Sequence, residues 1–272
     1  NLRRQMYEAK MCVGFVDNEY NNEALIRRMV NGRLEEAQLL GYDTFAHFAL
    51  HDRMAKNPKA VQELLDKLLD AYKPKATDEL EMIRKWAADK TSEVDNFTIQ
   101  PWDWAYFSEQ YKQAHYDLDD EMMRPYFELG RVTRGIFGLA NRLYGLHFSE
   151  RTDVPVYHPD VKVYEVSDED GSYIGLLYTD FFPREGKQNG AWMMNNLRDQ
   201  SEHQHPHIII VMNFTPPSAD KPSLLTAGEV ETFLHEFGHA LHGMLSKCRF
   251  SSLSGTSVAR DFVELPSQIM EN

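Results

Sequence analysis

The stretch Thr226–Ser246 reads TAGEVETFLHEFGHALHGMLS and contains the pattern H-E-x-x-H at His235, Glu236 and His239. Residues four apart lie on the same face of a helix, so both imidazoles can bind one metal ion from the same side. Glu236 follows the first histidine directly, where a carboxylate can act as general base towards a metal-bound water. The stretch therefore predicts a zinc-binding helix with a catalytic glutamate.

The residues around this pattern favour a buried helix. Thr226 and Glu229 have the T-x-x-E spacing of a capping box, which fixes the start of a helix. The apolar residues that recur at helical spacing are Val230, Phe233, Leu234, Phe237, Leu241, Met244 and Leu245. Because a helix this apolar is mostly buried, the face with the histidines must line a cleft or a metal site. Two histidines with structural hydrogen bonds only are the alternative.

A catalytic zinc needs a third protein ligand and one open position. The longer motif with a third histidine is excluded, because His242 and Leu245 stand where its glycine and its last histidine are required. After the helix, the acidic residues are Asp261, Glu264 and Glu271. One of these carboxylates is therefore the expected third ligand.

Glu264 is the best candidate, on a second helix that is predicted to begin near Gly255 and Thr256. Such a helix can cross the first and direct one carboxylate at the metal. Asp261 would lie on the same face and accept a hydrogen bond from a ligand imidazole; a surface or capping acid is the alternative. Pro266 is expected to kink this helix just after the ligand.

The chain changes character twice, which predicts three parts. Residues 1–145 have mostly helical patterns, residues 146–225 predict a small and mostly antiparallel β-sheet, and residues 226–272 contain the zinc-binding helices. The predicted fold is therefore mainly α with a small sheet.

Particular segments carry this division. An apolar stripe at helical spacing predicts core packing, and Pro74 after it is expected to break or kink the helix. The stripe consists of Val61, Leu64, Leu65, Leu68, Leu69 and Tyr72. Strands are expected at 161–166 and 173–178, which form a hairpin, and at 190–194 and 207–214.

Composition narrows the possible partners. The formal net charge of −13 argues against nucleic acid and against anionic membranes. The two cysteines do not form a disulfide framework, so a cytoplasmic protein is expected. No apolar run approaches the roughly 20 residues that span a bilayer.

The chain begins at Asn1 and ends at Asn272 inside a helical pattern, so it is interpreted as truncated at both ends. An upstream signal peptide is compatible with this start.

Longer segments are similar to one known family. HEFGHALHGML at 235–245 and SGTSVARDFVELPSQIMEN at 254–272 resemble the thimet oligopeptidase and peptidyl-dipeptidase family of zinc metallopeptidases. QPWDWAYFSEQ, RPYFELGRV, VPVYHPDVKVYEV and NGAWM extend the resemblance over most of the chain. Matched residue by residue, the motifs imply that His235, His239 and Glu264 bind one Zn²⁺ and that Glu236 is the base.

The resemblance is strongest to bacterial peptidyl-dipeptidases, which release dipeptides from peptide C-termini. It implies a nearly all-helical, zincin-like enzyme of two lobes around a channel that admits short, unstructured peptides, with Glu-assisted attack of a zinc-bound water. A monomer is expected. An endo-acting oligopeptidase of the same family and an inactive zinc-stabilised binding module are the alternatives.

The NGAW segment corresponds in the family to an edge strand along which the substrate lies extended. Gly190 and Ala191 are thus candidates for backbone pairing with the substrate, and a small-residue bend is the alternative. Family members continue past the third ligand with a glycine-rich loop that binds substrate, and they also have an N-terminal helical region. Since this chain includes neither, residues 1–272 alone are expected to be inactive.

Overall fold

The computed structural model describes residues 2–91, 97–116 and 120–272, apart from the side chains of Asp120 and Asn196. The chain divides into two compact units, 1–118 and 119–272. Helices form most of the regular structure, and a five-stranded sheet lies in the second unit. The predicted mainly helical fold with a small sheet is thus confirmed, whereas the division at 145 and 225 stays a prediction.

The first unit is helical. It contains α1 (Leu2–Met11), α2 (Glu23–Leu39), α3 (Phe45–Leu50), α4 (Pro58–Thr91) and α5 (Trp104–Tyr116). A small core forms between the second half of α4 and α5, around Ile83, Ala87 and Phe107. α4 continues through Pro74. The helix is therefore not broken there, although proline has no backbone N–H to donate to the preceding turn. The connection between α4 and α5 lies partly outside the described residues.

The apolar stripe on α4 is not part of a core, so that prediction is wrong. Five of its side chains are 41–65% exposed: Leu64, Leu65, Leu68, Leu69 and Tyr72. Helical spacing correctly indicates an amphipathic helix, but it states only which face is apolar and not what covers that face. Among the described residues, none buries this stripe.

The second unit combines helices with one sheet. Its elements are α6 (Asp120–Met123), α7 (Leu129–Tyr144), β1 (His147–Arg151), β2 (Lys162–Ser167), β3 (Tyr173–Asp180), β4 (Trp192–Arg198), β5 (His207–Val211), α8 (Ala227–Met244) and α9 (Leu265–Glu271). The predicted hairpin is confirmed as β2 and β3. No described helix has the length and apolarity that a membrane span requires.

The sheet is mixed, which corrects the expectation of a mostly antiparallel sheet. The strand order is β1-β2-β3-β5-β4, and β5 pairs parallel to β3 while the other three pairs are antiparallel. Alternating apolar residues indicate a strand, but they do not indicate that β5 inserts between two strands that precede it in the sequence. As a consequence of this order, β4 lies at an edge of the sheet.

The main core lies between the sheet and the two long helices of this unit. It includes Ile208 and Ile210 of β5, Phe233 and Phe237 of α8, and Ile136 of α7. The predicted capping box starts α8: the Thr226 hydroxyl accepts from the Glu229 N–H at 3.1 Å, and the Glu229 carboxylate accepts from the Thr226 N–H at 2.7 Å. The position of α8 on the sheet is thus fixed by its cap and by its apolar face.

A buried ion cluster fixes the end of β3. Asp180, which is 1% exposed, accepts two hydrogen bonds from Arg184 at 2.8 Å and one from Lys187 at 2.9 Å. The Tyr157 hydroxyl donates to it at 2.8 Å. The Lys187 ammonium also donates to three carbonyl oxygens, those of Asp180, Phe182 and Met212. Burial by itself would raise the pKa of Asp180, but these hydrogen bonds outweigh it and hold the pKa at about 2.

The charge of Asp180 should therefore contribute to stability in a pH-dependent way. Its pKa is lower in the folded chain than the usual 3.8, so its contribution is complete above about pH 4 and is lost as the pH falls towards 2. At pH 7, Asp180→Asn should lower the free energy of unfolding by about 3 kcal/mol, because Lys187 and Arg184 lose their buried counter-charge. Urea unfolding measures this change.

The matched control is Asp153→Asn, which removes one partner of an exposed ion pair with Arg151. This variant should change the stability little, since water screens exposed pairs. Equal effects of the two substitutions would contradict the role assigned to Asp180.

Candidate metal site

Helix α8 places three predicted site residues at the floor of one cavity. His235 and His239 lie one turn apart with ring centroids separated by 4.9 Å. Glu236 and His239 are buried, with 7% and 9% exposure. The i, i+4 spacing in the sequence therefore does bring both imidazoles to one side of the helix.

Glu264 reaches both imidazoles from the other side of the cavity. Its Oε2 atom lies 3.3 Å from Nε2 of His235 and 3.0 Å from Nε2 of His239. Ser267 donates a hydrogen bond to the same oxygen at 2.9 Å, which orients the carboxylate. One ligand atom from each of the three residues lies within 4.8 Å of the others.

The backbone around Glu264 differs from the prediction. No helix begins at Gly255; residues 254–264 form turns, and Glu264 is the N-cap of α9. Pro266 does not kink a helix but lies in the first turn of α9, where its missing N–H costs nothing and its fixed φ is favourable. The third candidate ligand is therefore held at the start of a helix rather than in its middle.

Gly238 permits the approach of α9 to α8. A Cβ atom at this position would lie 2.6 Å from the carbonyl oxygen of Pro266 and 2.6 Å from Cα of Ser267. Such contacts with backbone atoms are far inside van der Waals distance, so any larger residue would push α9 away. The glycine inside H-E-F-G-H is thus what allows the Glu264 carboxylate to lie beside the histidines.

The donor set, two imidazoles and one carboxylate, is of the kind that zinc binds. Zinc binds imidazole nitrogen and carboxylate oxygen at roughly 2.0–2.2 Å, which places tetrahedral donors roughly 3.3–3.6 Å apart. The distances from Oε2 of Glu264 to the two imidazole nitrogens, 3.0 and 3.3 Å, lie at or just below the lower end of this range. Burial lowers the pKa of His239, and this favours the neutral imidazole that metal binding requires.

A fourth residue supports the first histidine. Glu271 Oε1 lies 2.5 Å from Nδ1 of His235, the ring nitrogen that does not face Glu264. Such a contact fixes the tautomer and the orientation of a ligand imidazole. The sequence predicts this kind of role for Asp261, and for that residue it stays a prediction. Glu271 was missed, although it follows Glu264 by seven residues and therefore lies near the same helix face.

Glu236 lies where a carboxylate can exchange a proton with water in the cavity. The pKa of Glu236 lies above its usual value, mainly because the side chain is buried. The charge of His235 and a hydrogen bond from the Met193 backbone lower this pKa, whereas the charge of Glu264 raises it. A carboxyl group with a raised pKa is better suited to take up and return a proton near neutral pH.

The cavity opens beside the edge strand β4 and has a volume of about 300 Å³. Its lining consists of Ala191, Trp192 and Met193, of His235, Glu236 and His239 on α8, and of Thr256, Val263 and Glu264. Ala191 thus lies beside the candidate metal ligands. Gly190 directly precedes it and has φ +104°. Four larger cavities, of about 570, 530, 400 and 350 Å³, have no comparable group of ligand atoms in the described part of the chain.

Residues 1–272 match Peptidase family M3, and the chain belongs to this family. It is 43% identical to the dipeptidyl carboxypeptidase of Escherichia coli over 258 residues, which are 94% of this chain and 37% of that protein. Oligopeptidase A of Escherichia coli is 39% identical over 280 residues, covering 100% of this chain and 41% of that protein. The resemblance to the thimet oligopeptidase and peptidyl-dipeptidase family is confirmed.

A more distant relative is the mitochondrial intermediate peptidase of Pongo abelii. It is 32% identical over 252 residues, which are 90% of this chain and 35% of that protein. The chain spans about two fifths of the length of the curated relatives it matches.

The contact of Glu271 with His235 should strengthen metal binding. Glu271→Gln should lower the affinity for zinc roughly 10–100-fold, because the imidazole loses the carboxylate that orients it. Competition with a chromophoric chelator measures this change. Glu231→Gln, on the exposed part of α8, is the matched control and should leave the affinity unchanged. An unchanged affinity in Glu271→Gln would show that the contact has no part in metal binding.

Proposed function

We propose that the protein is a zinc-dependent peptidase that acts on short peptides and releases dipeptides from their C-termini. The observation that carries the proposal is the convergence of His235, His239 and Glu264 beside Glu236, in a cavity bordered by an edge strand. Membership of Peptidase family M3 and the similarity to a dipeptidyl carboxypeptidase support it.

The proposed site has a metal-binding part and a proton-transferring part. His235, His239 and Glu264 would hold one Zn²⁺, and Glu271 would orient His235. A zinc ion at these ligands supplies a Lewis acid that lowers the pKa of water and polarises a peptide carbonyl. The remaining chemistry needs a base, because the attacking water must lose a proton and the leaving amine must gain one.

Glu236 performs both proton transfers in this proposal. Its carboxylate takes a proton from the attacking water and later gives it to the nitrogen of the leaving amine. Burial raises the pKa of Glu236, so the protonated form that must donate is more accessible than for an exposed glutamate. The hydrogen bond with the Met193 backbone keeps the carboxylate next to the edge strand, where the substrate would lie.

The edge of β4 offers a place for the substrate. An extended peptide can pair with the backbone of an exposed strand, and we propose that Gly190 and Ala191 begin this pairing. Only a peptide whose own N–H and C=O groups are free can bind in this way, so the proposed substrates are short, unstructured peptides.

The partners and the compartment are also proposals. The net charge of −13 disfavours nucleic acid and anionic membrane surfaces. Cys12 and Cys248 both have free thiols, which fits a reducing compartment such as the cytoplasm. We propose that the protein acts there as a monomer.

Glu236→Gln tests the assignment of the base. In the full-length protein, this substitution should leave the zinc content unchanged and lower kcat roughly 10²–10⁴-fold, because an amide cannot accept the proton of water. Peptide hydrolysis and metal analysis on the same preparation measure both quantities, with Glu231→Gln as the control. Hydrolysis at the wild-type rate by Glu236→Gln would exclude Glu236 as the base.

The products distinguish the proposed reaction from its alternatives. An endo-acting oligopeptidase is the second candidate, because the chain is also 39% identical to Oligopeptidase A of Escherichia coli. Mass spectrometry should show successive loss of C-terminal dipeptides from a free peptide and no cleavage of its C-terminally amidated form. Internal cuts in the amidated peptide would favour the second candidate. No products from the zinc-loaded full-length protein would favour an inactive binding module.

The inactivity expected of residues 1–272 alone stays a prediction.

A further inference from the structure

The segment that enters the edge strand is held by a side chain rather than by the sheet. Trp192 of β4 lies opposite Val211 of β5, so the same register places Gly190 opposite Asn213. At this position, the Asn213 amide donates hydrogen bonds to the carbonyl oxygens of Gly190 at 2.8 Å and of Gln188 at 3.0 Å. The side chain thus replaces a backbone pairing between the two strands.

This contact determines the direction of the next peptide group. In a trans peptide the C=O and the following N–H point in opposite directions. Because the Gly190 carbonyl points to Asn213, the Ala191 N–H points away from β5, towards the open edge. In a strand, the backbone N–H groups of residues i and i+2 point to the same side. Met193 is two residues after Ala191, and its backbone forms a hydrogen bond with the Glu236 carboxylate. The side of β4 that Ala191 faces is therefore the side of the candidate metal site.

The arrangement has a structural cost. Oδ1 of Asn213 is buried, and none of the described residues donates to it. A buried acceptor without a partner is destabilising. Exchanging the two ends of the amide gives no relief, since its oxygen would then face two carbonyl oxygens. Gly190 in addition has φ +104°, a conformation that side chains disfavour. Unfavourable local features of this kind are often retained where a group must be held in place for function.

The other end of the same segment is also fixed. The Lys187 side chain is 4% exposed, and its ammonium donates to the carbonyl oxygens of Phe182 and Met212. Met212 directly precedes Asn213. The contact with Met212 attaches the connection between β3 and β4 to the end of β5, and the contact with Phe182 links Lys187 to the start of that connection. Asn213 therefore acts on a segment whose base is already held in place.

We propose that Asn213 is a positioning residue for peptide substrates: it holds the Gly190 carbonyl so that the Ala191 N–H is presented to an extended peptide at the open edge. Asn213 does not touch the substrate, and its effect passes through the backbone of residues 188–191. The inference rests on the proposed peptidase function. It adds the residue that aligns the substrate with the metal ligands.

Asn213→Asp tests the proposal because it preserves the shape of the side chain and removes both donated hydrogen bonds. The matched control is Asn141→Asp, since Asn141 also donates from its amide to a backbone carbonyl, that of Leu146 at 3.1 Å, and does not line the cavity. Both variants are made in the full-length protein. Hydrogen–deuterium exchange of residues 186–194, zinc content, KM and kcat are measured for each.

In Asn213→Asp, the backbone amide hydrogens of residues 186–194 should exchange faster with deuterium. The KM for a short peptide should rise about tenfold, because the segment loses hydrogen bonds of ordinary strength. Its zinc content should be unchanged and its kcat should change much less than KM. Asn141→Asp should leave exchange in this segment and KM unchanged. A general loss of stability would instead raise exchange throughout the chain. Asn213→Ser, which introduces no charge, replaces the aspartate variant if that variant does not fold.

Two results would overturn the inference. Unchanged exchange at 186–194 would show that Asn213 does not hold this segment. Faster exchange with an unchanged KM would show that the segment does not align the substrate. A wild-type protein that hydrolyses no peptide would instead refute the proposed function, and the exchange measurement, which needs no activity, would then decide the local role of Asn213 by itself.

Discussion

At Gly238, the backbone of α9 occupies the space that a side chain on α8 would need. This close crossing brings Glu264, at the start of α9, to within 3.3 Å of both imidazoles, and it also brings Glu271 to the other nitrogen of His235. Without the crossing, α8 would present two histidines to a cavity with no carboxylate opposite them. The site therefore depends on a packing contact between two helices as much as on the identity of its ligands.

The features that could be predicted from the sequence depend on local spacing. The capping box of α8, the face shared by His235 and His239 and the hairpin of β2 and β3 each involve residues close together in the chain, where the periods of helices and strands determine geometry. Glu264 could be selected because few acidic residues follow α8 and because the surrounding motif resembles one family. In the structure, its carboxylate lies beside both histidines.

The features that could not be predicted depend on what packs against what. The exposed stripe on α4 has the same periodicity as a buried one, since periodicity does not identify a partner. The parallel pairing of β5 with β3 depends on strand order, which alternating side chains do not encode. The sequence predicts a kink at Pro266 because it places the start of the helix near Gly255, whereas α9 begins at Leu265 and Pro266 lies in its first turn. In each case the missing information is tertiary contact.

The packing of α9 against α8 has a thermodynamic consequence. The close approach at Gly238 and the contacts of Glu264 and Glu271 with His235 hold α9 in place. Because one of these glutamates is a candidate metal ligand and the other supports a ligand, an ion bound there would contribute its binding free energy to the docking of the whole segment. Occupancy of the metal site and order of residues 265–271 would then be two measures of a single equilibrium.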